Sequence, residues 1–510
     1  MPGNIEFEFR FGGPRKAPDL SPDEDRPFRL LILADLGGRA SRGGGVNGGP
    51  LAERKPLRID VDNFDAVFRR LEPALELPAA GDDGETLPVE FGELDDFHPD
   101  ALFDRLAPFA ALRESRARLM DPATFAEAAA ELKRDAAPAK APGADEPKDE
   151  KEGDTLERLL GRRPETPAGA REDEMARRAG IDALIHRIVA PHVVPDTRDE
   201  QQQLLSAIDQ AVTDGMRAVL HAPAFQALEA SWRSVHGLVT GLETGEELQI
   251  HVLDVTRDEL AADVAAAGQD LEQTDLHGLL IDRGISLPGA HPWSALVGDF
   301  SFGEAEEDLR LLAALGAIAS RCGGPFLAAA SPSLLGCRDV ATIADTAAWN
   351  RPDDDEPSGW EALRASPFAR WIGLALPRTL LRLPYGGRGE QTDRFAFEEL
   401  GSGSEHDSYL WGNPAYGCAL LLGLAFQESG WSLEPGDLLD LEDLPGHVVE
   451  RDGERALQPC AEIWLGERAA TAILARGLMP LMSRRDRNAA RLARFQSVAE
   501  PTAPLAGPWS

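Results

Sequence analysis

Residues 135–154, DAAPAKAPGADEPKDEKEGD, contain no aromatic and no β-branched residue. A stretch of charges, proline and alanine buries too little apolar surface to offset the entropy of ordering its backbone, so it reads as a disordered linker. Folded structure is thereby confined to residues 1–134 and 155–510. With 510 residues, the chain is long enough to bury a sizeable core on each side.

The formal net charge is −35, which argues against nucleic acid as a partner, because phosphate neutralisation requires clustered Lys and Arg. Arg484, Arg485, Arg487 and Arg491 form a local basic group, read here as a solvated helix face. No run approaches the roughly 20 apolar residues needed to cross a bilayer. The first residues alternate charges with aromatics and do not resemble a signal peptide, so a cytoplasmic chain without membrane insertion is expected. Cys322, Cys337, Cys418 and Cys460 are scattered, as expected of reduced, mostly buried thiols. No HExxH and no His/Cys cluster occurs, so neither a metal nor a cofactor is expected.

Residues 4–11, NIEFEFRF, alternate strictly. Ile5, Phe7, Phe9 and Phe11 share one face of a period-two strand, and Glu6, Glu8 and Arg10 the other. Pro14, Pro18, Pro22 and Pro27 tether it away from the next element. Such a strand is free to pair with the sheet edge of another subunit; an ordinary local hairpin partner fits the pattern equally. Leu30–Leu33 is a continuous apolar run and predicts a buried strand. Gly43, Gly45 and Gly48 have GxGxxG spacing, but Pro50 and charges follow, with no GK[ST], so a flexible loop is expected. Asp62 or Asn63 caps a helix with Phe64, Val67, Phe68 and Leu71 on one face. Leu87–Phe91 is a strand, and Leu102, Phe103, Leu106, Phe109 and Leu112 mark a helix continuing towards Leu119. The first 134 residues thus read as a compact α/β unit.

Beyond the linker, Leu156, Leu159 and Leu160 form a short amphipathic patch bounded by Pro164. A long helical region is expected over 201–241, with a seam of Phe225, Leu228, Trp232, Val235 and Val239. Leu248, Ile250 and Val252 alternate as a strand, and Thr256 with Glu259 makes a capping box for the next helix. Strand, helix and strand follow at 295–297, 309–319 and 326–330, the order of a mainly parallel sheet. Arg378, Arg382 and Tyr385, with His406 and Asp407 nearby in sequence, invite comparison with a catalytic cluster. Structural ion pairs on a strand and turn are the favoured reading, because nothing supplies a nucleophile with a base or a phosphate cradle.

Several segments resemble one family. FRLLILADLGGR (28–39), RIDVDNFDAVFRRLEP (58–73) and LPVEFGELDDFHPDALFDRLAPFAALRESRARL (87–119) are similar to the small, TssB-like subunit of the type VI secretion contractile sheath. HAPAFQALEASWRSVHGLV (221–239), LVGDFSFGEAEEDLRLL (296–312), LPRTLLRLPYG (376–386), SYLWGNPAYGCALLL (408–422) and LMPLMSRRDRNAARLARFQSVAEP (478–501) are similar to the large, TssC-like subunit. The resemblance implies a mixed α/β (α+β) fold with two sheath-type domains, joined by an acidic Pro/Ala-rich linker and carrying an exchangeable N-terminal strand.

It also implies a structural, non-enzymatic role in a sheath that surrounds an inner tube and contracts to drive effector injection. The implied partners are other sheath subunits, an Hcp-like tube protein, a baseplate and a ClpV-like AAA+ unfoldase. In the large subunit that unfoldase recognises an N-terminal amphipathic helix, and Leu156, Leu159 and Leu160 occupy the comparable place; a helix docked on its own domain is the competing reading. Large subunits usually continue past the SVAEP segment with C-terminal strands that take part in the inter-subunit mesh. On that comparison the alternative expectation is a cap, adaptor or regulator that joins a sheath without propagating it.

Overall fold

The computed structural model describes residue 9 and residues 26–43, 49–78, 86–136, 200–349, 358–387, 389–401, 406–451, 454–485 and 487–509. Nearly all of the expected linker, together with Ile5, Phe7, Phe11, Leu156, Leu159 and Leu160, lies outside the described residues.

The apolar run of residues 28–34 forms β1 (Phe28–Ala34). Its side chains are almost uniformly apolar because both faces are covered: Leu30, Ile32 and Ala34 enter one hydrophobic cluster, Leu31 and Leu33 another. The alternating segment further along forms β5 (Leu248–Asp254), parallel to β1 with Leu30 opposite Ile250. On its other side β1 pairs in parallel with β6 (Ala295–Phe302). Parallel pairing continues through β7 (Phe326–Ala330), β8 (Ile372–Leu376) and β14 (Met479–Ser483). Antiparallel strands close the two ends: β2 (Leu57–Ile59) on β5, then β15 (Ala490–Leu492) on β14 and β11 (Asp440–Leu441) on β15. Among the described residues this makes one nine-stranded sheet, in the order β11-β15-β14-β8-β7-β6-β1-β5-β2.

Strands from both sides of residues 135–154 therefore share a single sheet, and β1 lies inside it. The core expected for the first 134 residues is completed by the second region. The Phe68 ring lies tilted at 4.3 Å from that of Trp232, and the indole N–H of Trp232 donates to the Leu36 carbonyl at 2.9 Å. Helices Glu200–Leu220, Pro223–Gly241 and Pro414–Ser429 contribute to the same cluster as Phe64, Phe97 and Leu112. Helices Arg257–Ala267 and Glu306–Cys322 contribute to the cluster on the opposite face.

The helical region expected over 201–241 is two helices, which meet at Ala222-Pro223. Pro223 lacks an N–H to continue the first helix but suits the opening turn of the second. The helix expected from Leu102 towards Leu119 likewise divides at Leu106, with Pro108 in the first turn of the second piece. Asn63 precedes helix Phe64–Leu71 without a side-chain capping bond; its Oδ1 accepts the Asp60 N–H instead. The Thr256–Glu259 capping box is present in both directions. After β1 the chain turns at Gly38, whose φ is +69° and where a Cβ would lie 2.4 Å from the Ala74 carbonyl oxygen.

Candidate functional site

Three buried ionic networks and one cleft concentrate the polar chemistry. The first ties the start of the second region to a distant loop. Glu229, on helix Pro223–Gly241, is completely buried and so must be paired. It accepts from Arg233 Nε at 2.7 Å, one turn along the helix, and from Arg382 Nε at 2.8 Å. Arg382 then donates to both oxygens of Glu399, at 2.7 and 2.9 Å. The Tyr385 N–H donates to Glu399 at 2.8 Å, the Tyr385 ring lies 4.2 Å from the Arg382 guanidinium carbon, and Arg233 donates to the Tyr385 hydroxyl at 3.1 Å. Burial alone would raise the Glu399 carboxyl; the Arg382 charge, with hydrogen bonds from Arg382 and the Tyr385 N–H and with His221 3.7 Å away, outweighs it and brings the pKa to about 2.

The second network joins the two sequence regions at the carboxyl ends of β1 and β5. Asp254 Oδ1 accepts the Leu36 and Gly37 N–H groups at 2.9 and 3.0 Å, and Asp254 Oδ2 pairs with Arg39. Arg39 and Arg54 both reach Glu259 on the next helix, at 2.8 and 2.5 Å. Burial opposes ionisation of Glu259, but the Arg54 hydrogen bond, the Thr256 N–H and the Arg39 charge bring it to about 2. Both acids titrate below the ordinary carboxylate value, so the stability they contribute is complete above that value and is lost as pH falls towards about 2.

The third network holds Glu462, which accepts from the Arg378 N–H at 2.9 Å, from Arg378 Nη2 at 2.5 Å and from His406 Nε2 at 2.8 Å. Arg378, Arg382 and Tyr385 therefore serve two separate ion-pair systems. Asp407 joins neither of them through its carbonyl, which accepts from Gln226 at 3.0 Å. Beside Arg378 and Glu462, a cleft of about 370 Å³ opens at the carboxyl ends of β6, β7 and β8. Asp299 of β6 lies in it, accepting from Ser231 Oγ at 2.6 Å and Tyr416 Oη at 3.1 Å. Burial pushes the Asp299 carboxyl above its ordinary value, against the pull of hydrogen bonds from Ser231 and Tyr416.

The second of these networks, Arg39 and Arg54 with Asp254 and Glu259, joins segments that two known protein groups carry separately. Residues 202–499 match the family described as EvpB/VC_A0108, tail sheath N-terminal domain (VipB). The chain belongs to the type VI secretion sheath family. Residues 4–136 match a second family of that system, described as type VI secretion system, VipA, VC_A0107 or Hcp2. The type VI secretion system sheath protein TssC1 of Pseudomonas aeruginosa is 31% identical over 351 residues, covering 64% of this chain and 68% of the relative. The sheath protein TssB1 of the same organism is 31% identical over 125 residues, covering 24% of this chain and 67% of the relative. The protein is a structural sheath component in which TssB-like and TssC-like sequence occur in one chain.

Of the strand-exchange residues named from sequence, the structure describes Phe9 alone. It is half-buried, its ring 6.3 Å from that of Phe368 in the same chain. The C-terminal arginines, expected on a helix face, lie on the β14–β15 hairpin, in which Leu481 faces Leu492 and both are fully buried. Arg491 pairs with Asp440 and Arg487 with Glu442, and Arg485 stands 5.5 Å from the centre of the Trp464 ring, so part of the group's charge is met locally. All four cysteines are buried and unpaired, and burial raises Cys418 to about 12. No helix among the described residues is long and apolar enough to cross a membrane. Glu229, Glu399 and Asp299 were missed in the sequence; the signal available was an acidic residue inside an otherwise apolar seam, as Glu229 is between Leu228 and Trp232.

Proposed function

We propose that this sheath protein is a lattice subunit of a contractile sheath: it surrounds an Hcp-like inner tube, engages a baseplate, and contracts to drive effector injection without performing catalysis. The observation that carries this reading is the position of β1. The TssB-like region supplies an inner strand to the sheet of the TssC-like region, so one chain brings both kinds of sheath sequence in a fixed relation. A body whose regions are joined by buried strands and ion pairs transmits force between lattice contacts without coming apart.

In this reading Ile5, Phe7, Phe9 and Phe11 form a strand donated to a neighbouring subunit, supported by their strict alternation and the proline-rich tether that follows. Removing residues 1–12 should leave a folded protein, as judged by circular dichroism, that no longer enters sheaths in electron micrographs. Normal incorporation of the deleted protein would contradict strand donation. Leu156, Leu159 and Leu160, at i, i+3 and i+4, are the proposed handle for a ClpV-like AAA+ unfoldase. Replacing all three with Asp should abolish pull-down by the N-terminal domain of that enzyme, and undiminished binding would remove the assignment.

A further inference from the structure

The cleft at the carboxyl ends of β6, β7 and β8 borders the Arg378–Glu462 pair on one side, and its other acid, Asp299, belongs to none of the three ion networks. Its floor is set by an irregularity in β6. Val297 pairs with Leu327 but Ser301 pairs with Ala329, so β6 carries two more residues than β7 between these points. Bulges of this kind re-aim side chains. Asp299 lies within the bulge, and its Oδ2 is held by the Ser231 and Tyr416 hydroxyls. The walls are largely apolar, with Ala330, Val340, Leu376 and Trp411 among them.

The charge balance of the cleft is incomplete. Of the charged residues that line it, Arg378 and Glu462 are ion-paired to each other. Asp299 is held by the neutral hydroxyls of Ser231 and Tyr416, and no ion pair to it is present among the described residues. A carboxyl that burial holds back from ionising is favoured in its charged form when a cation enters beside it, and an apolar wall with an indole favours a cation on a hydrocarbon stem. Because Oδ2 is already engaged by two hydroxyls, one oxygen remains to meet the ligand. That selects a point-charge ammonium over a guanidinium, whose planar fork is matched by two free oxygens.

We propose that this cleft receives a lysine side chain of a neighbouring protein subunit, with its ammonium on Asp299 and its methylenes along Val340, Leu376 and Trp411. The choice of a protein as the source rests on the sheath reading above; the ammonium chemistry of the cleft does not. The test is titration of the full chain with Nα-acetyl-lysine methylamide, followed by ligand-observed NMR. The norleucine counterpart, which is apolar at the same length, and n-pentylamine serve as comparisons. The lysine amide should bind about tenfold or more tightly than the norleucine amide, the scale of one charge-assisted hydrogen bond.

Asp299→Asn keeps the size of the side chain and an acceptor for Ser231, and it should remove that preference. If this variant does not fold, Val340→Trp, which fills the mouth from a partly exposed position, should abolish binding instead. Equal binding of the lysine and norleucine amides overturns the proposal, as does an unchanged lysine preference in Asp299→Asn, which would place the cation elsewhere on an acidic surface. Binding of pentylamine with exclusion of the lysine amide would overturn the protein source. Failure of the chain to enter sheaths while the lysine preference holds would instead count against the sheath reading.

Discussion

Arg382→Ala is expected to be among the most destabilising single substitutions in this protein, at about 3–5 kcal/mol or more, the range found when one partner of a buried ion pair is removed. Arg382 is 6% exposed and stands between Glu229 and Glu399, which are 0% and 1% exposed. Alanine would leave Glu399 buried with His221 as its one remaining side-chain partner, at 3.7 Å, and would leave Glu229 dependent on Arg233. Urea denaturation followed by circular dichroism should show the loss as a lower midpoint. The acid transition should also move to higher pH, because the arginine charge is what holds the Glu399 carboxyl down at about 2.

Combining Arg382→Met with Glu399→Gln should recover much of the stability, since Glu229 keeps Arg233 as its ion-pair partner and the other two groups become neutral at similar volume. A midpoint for Arg382→Ala within about 1 kcal/mol of the wild type, the level of an exposed pair, would show that the network is peripheral to the fold.

What could be read in advance followed the range of the interaction. The Leu30–Leu33 run, the alternation around Ile250, the Thr256–Glu259 box and the seam through Trp232 are local patterns, and each fell where its spacing put it. Partners across the sheet were not local. Leu30 meets Ile250 and Ala295 across more than 200 residues, and nothing in FRLLILA indicates which strands will flank it. The linker-like composition of residues 135–154 suggested separate units, because composition reports where backbone order is unfavourable and not which segments pack together.

The two helix breaks had a local cause, Pro223 and Pro108, whose fit to an opening helical turn was outweighed in the sequence by an unbroken apolar period. Arg382 was noticed, but its partners lie 153 and 17 residues away. Asp299, in LVGDFSF, looks like the polar position of an alternating strand; the bulge that places it in a cleft depends on the pairing of β6 with β7. The family resemblance carried what spacing could not, because it compares whole segments and not periods.

The account rests most heavily on β1 as a strand that the TssC-like region cannot do without. Its Phe28 and Leu30–Leu33 are all 0% exposed, and at a few kcal/mol per fully buried side chain they contribute on the order of 10 kcal/mol, comparable with the net stability of a typical domain. Expressing residues 200–510 with and without residues 1–136 as a second polypeptide tests this directly. Alone, residues 200–510 should be insoluble or lack a cooperative thermal transition; co-expressed, the two pieces should copurify at one-to-one stoichiometry and melt together. A soluble, cooperatively folded 200–510 fragment that neither binds residues 1–136 nor gains stability from them would contradict the single-sheet account.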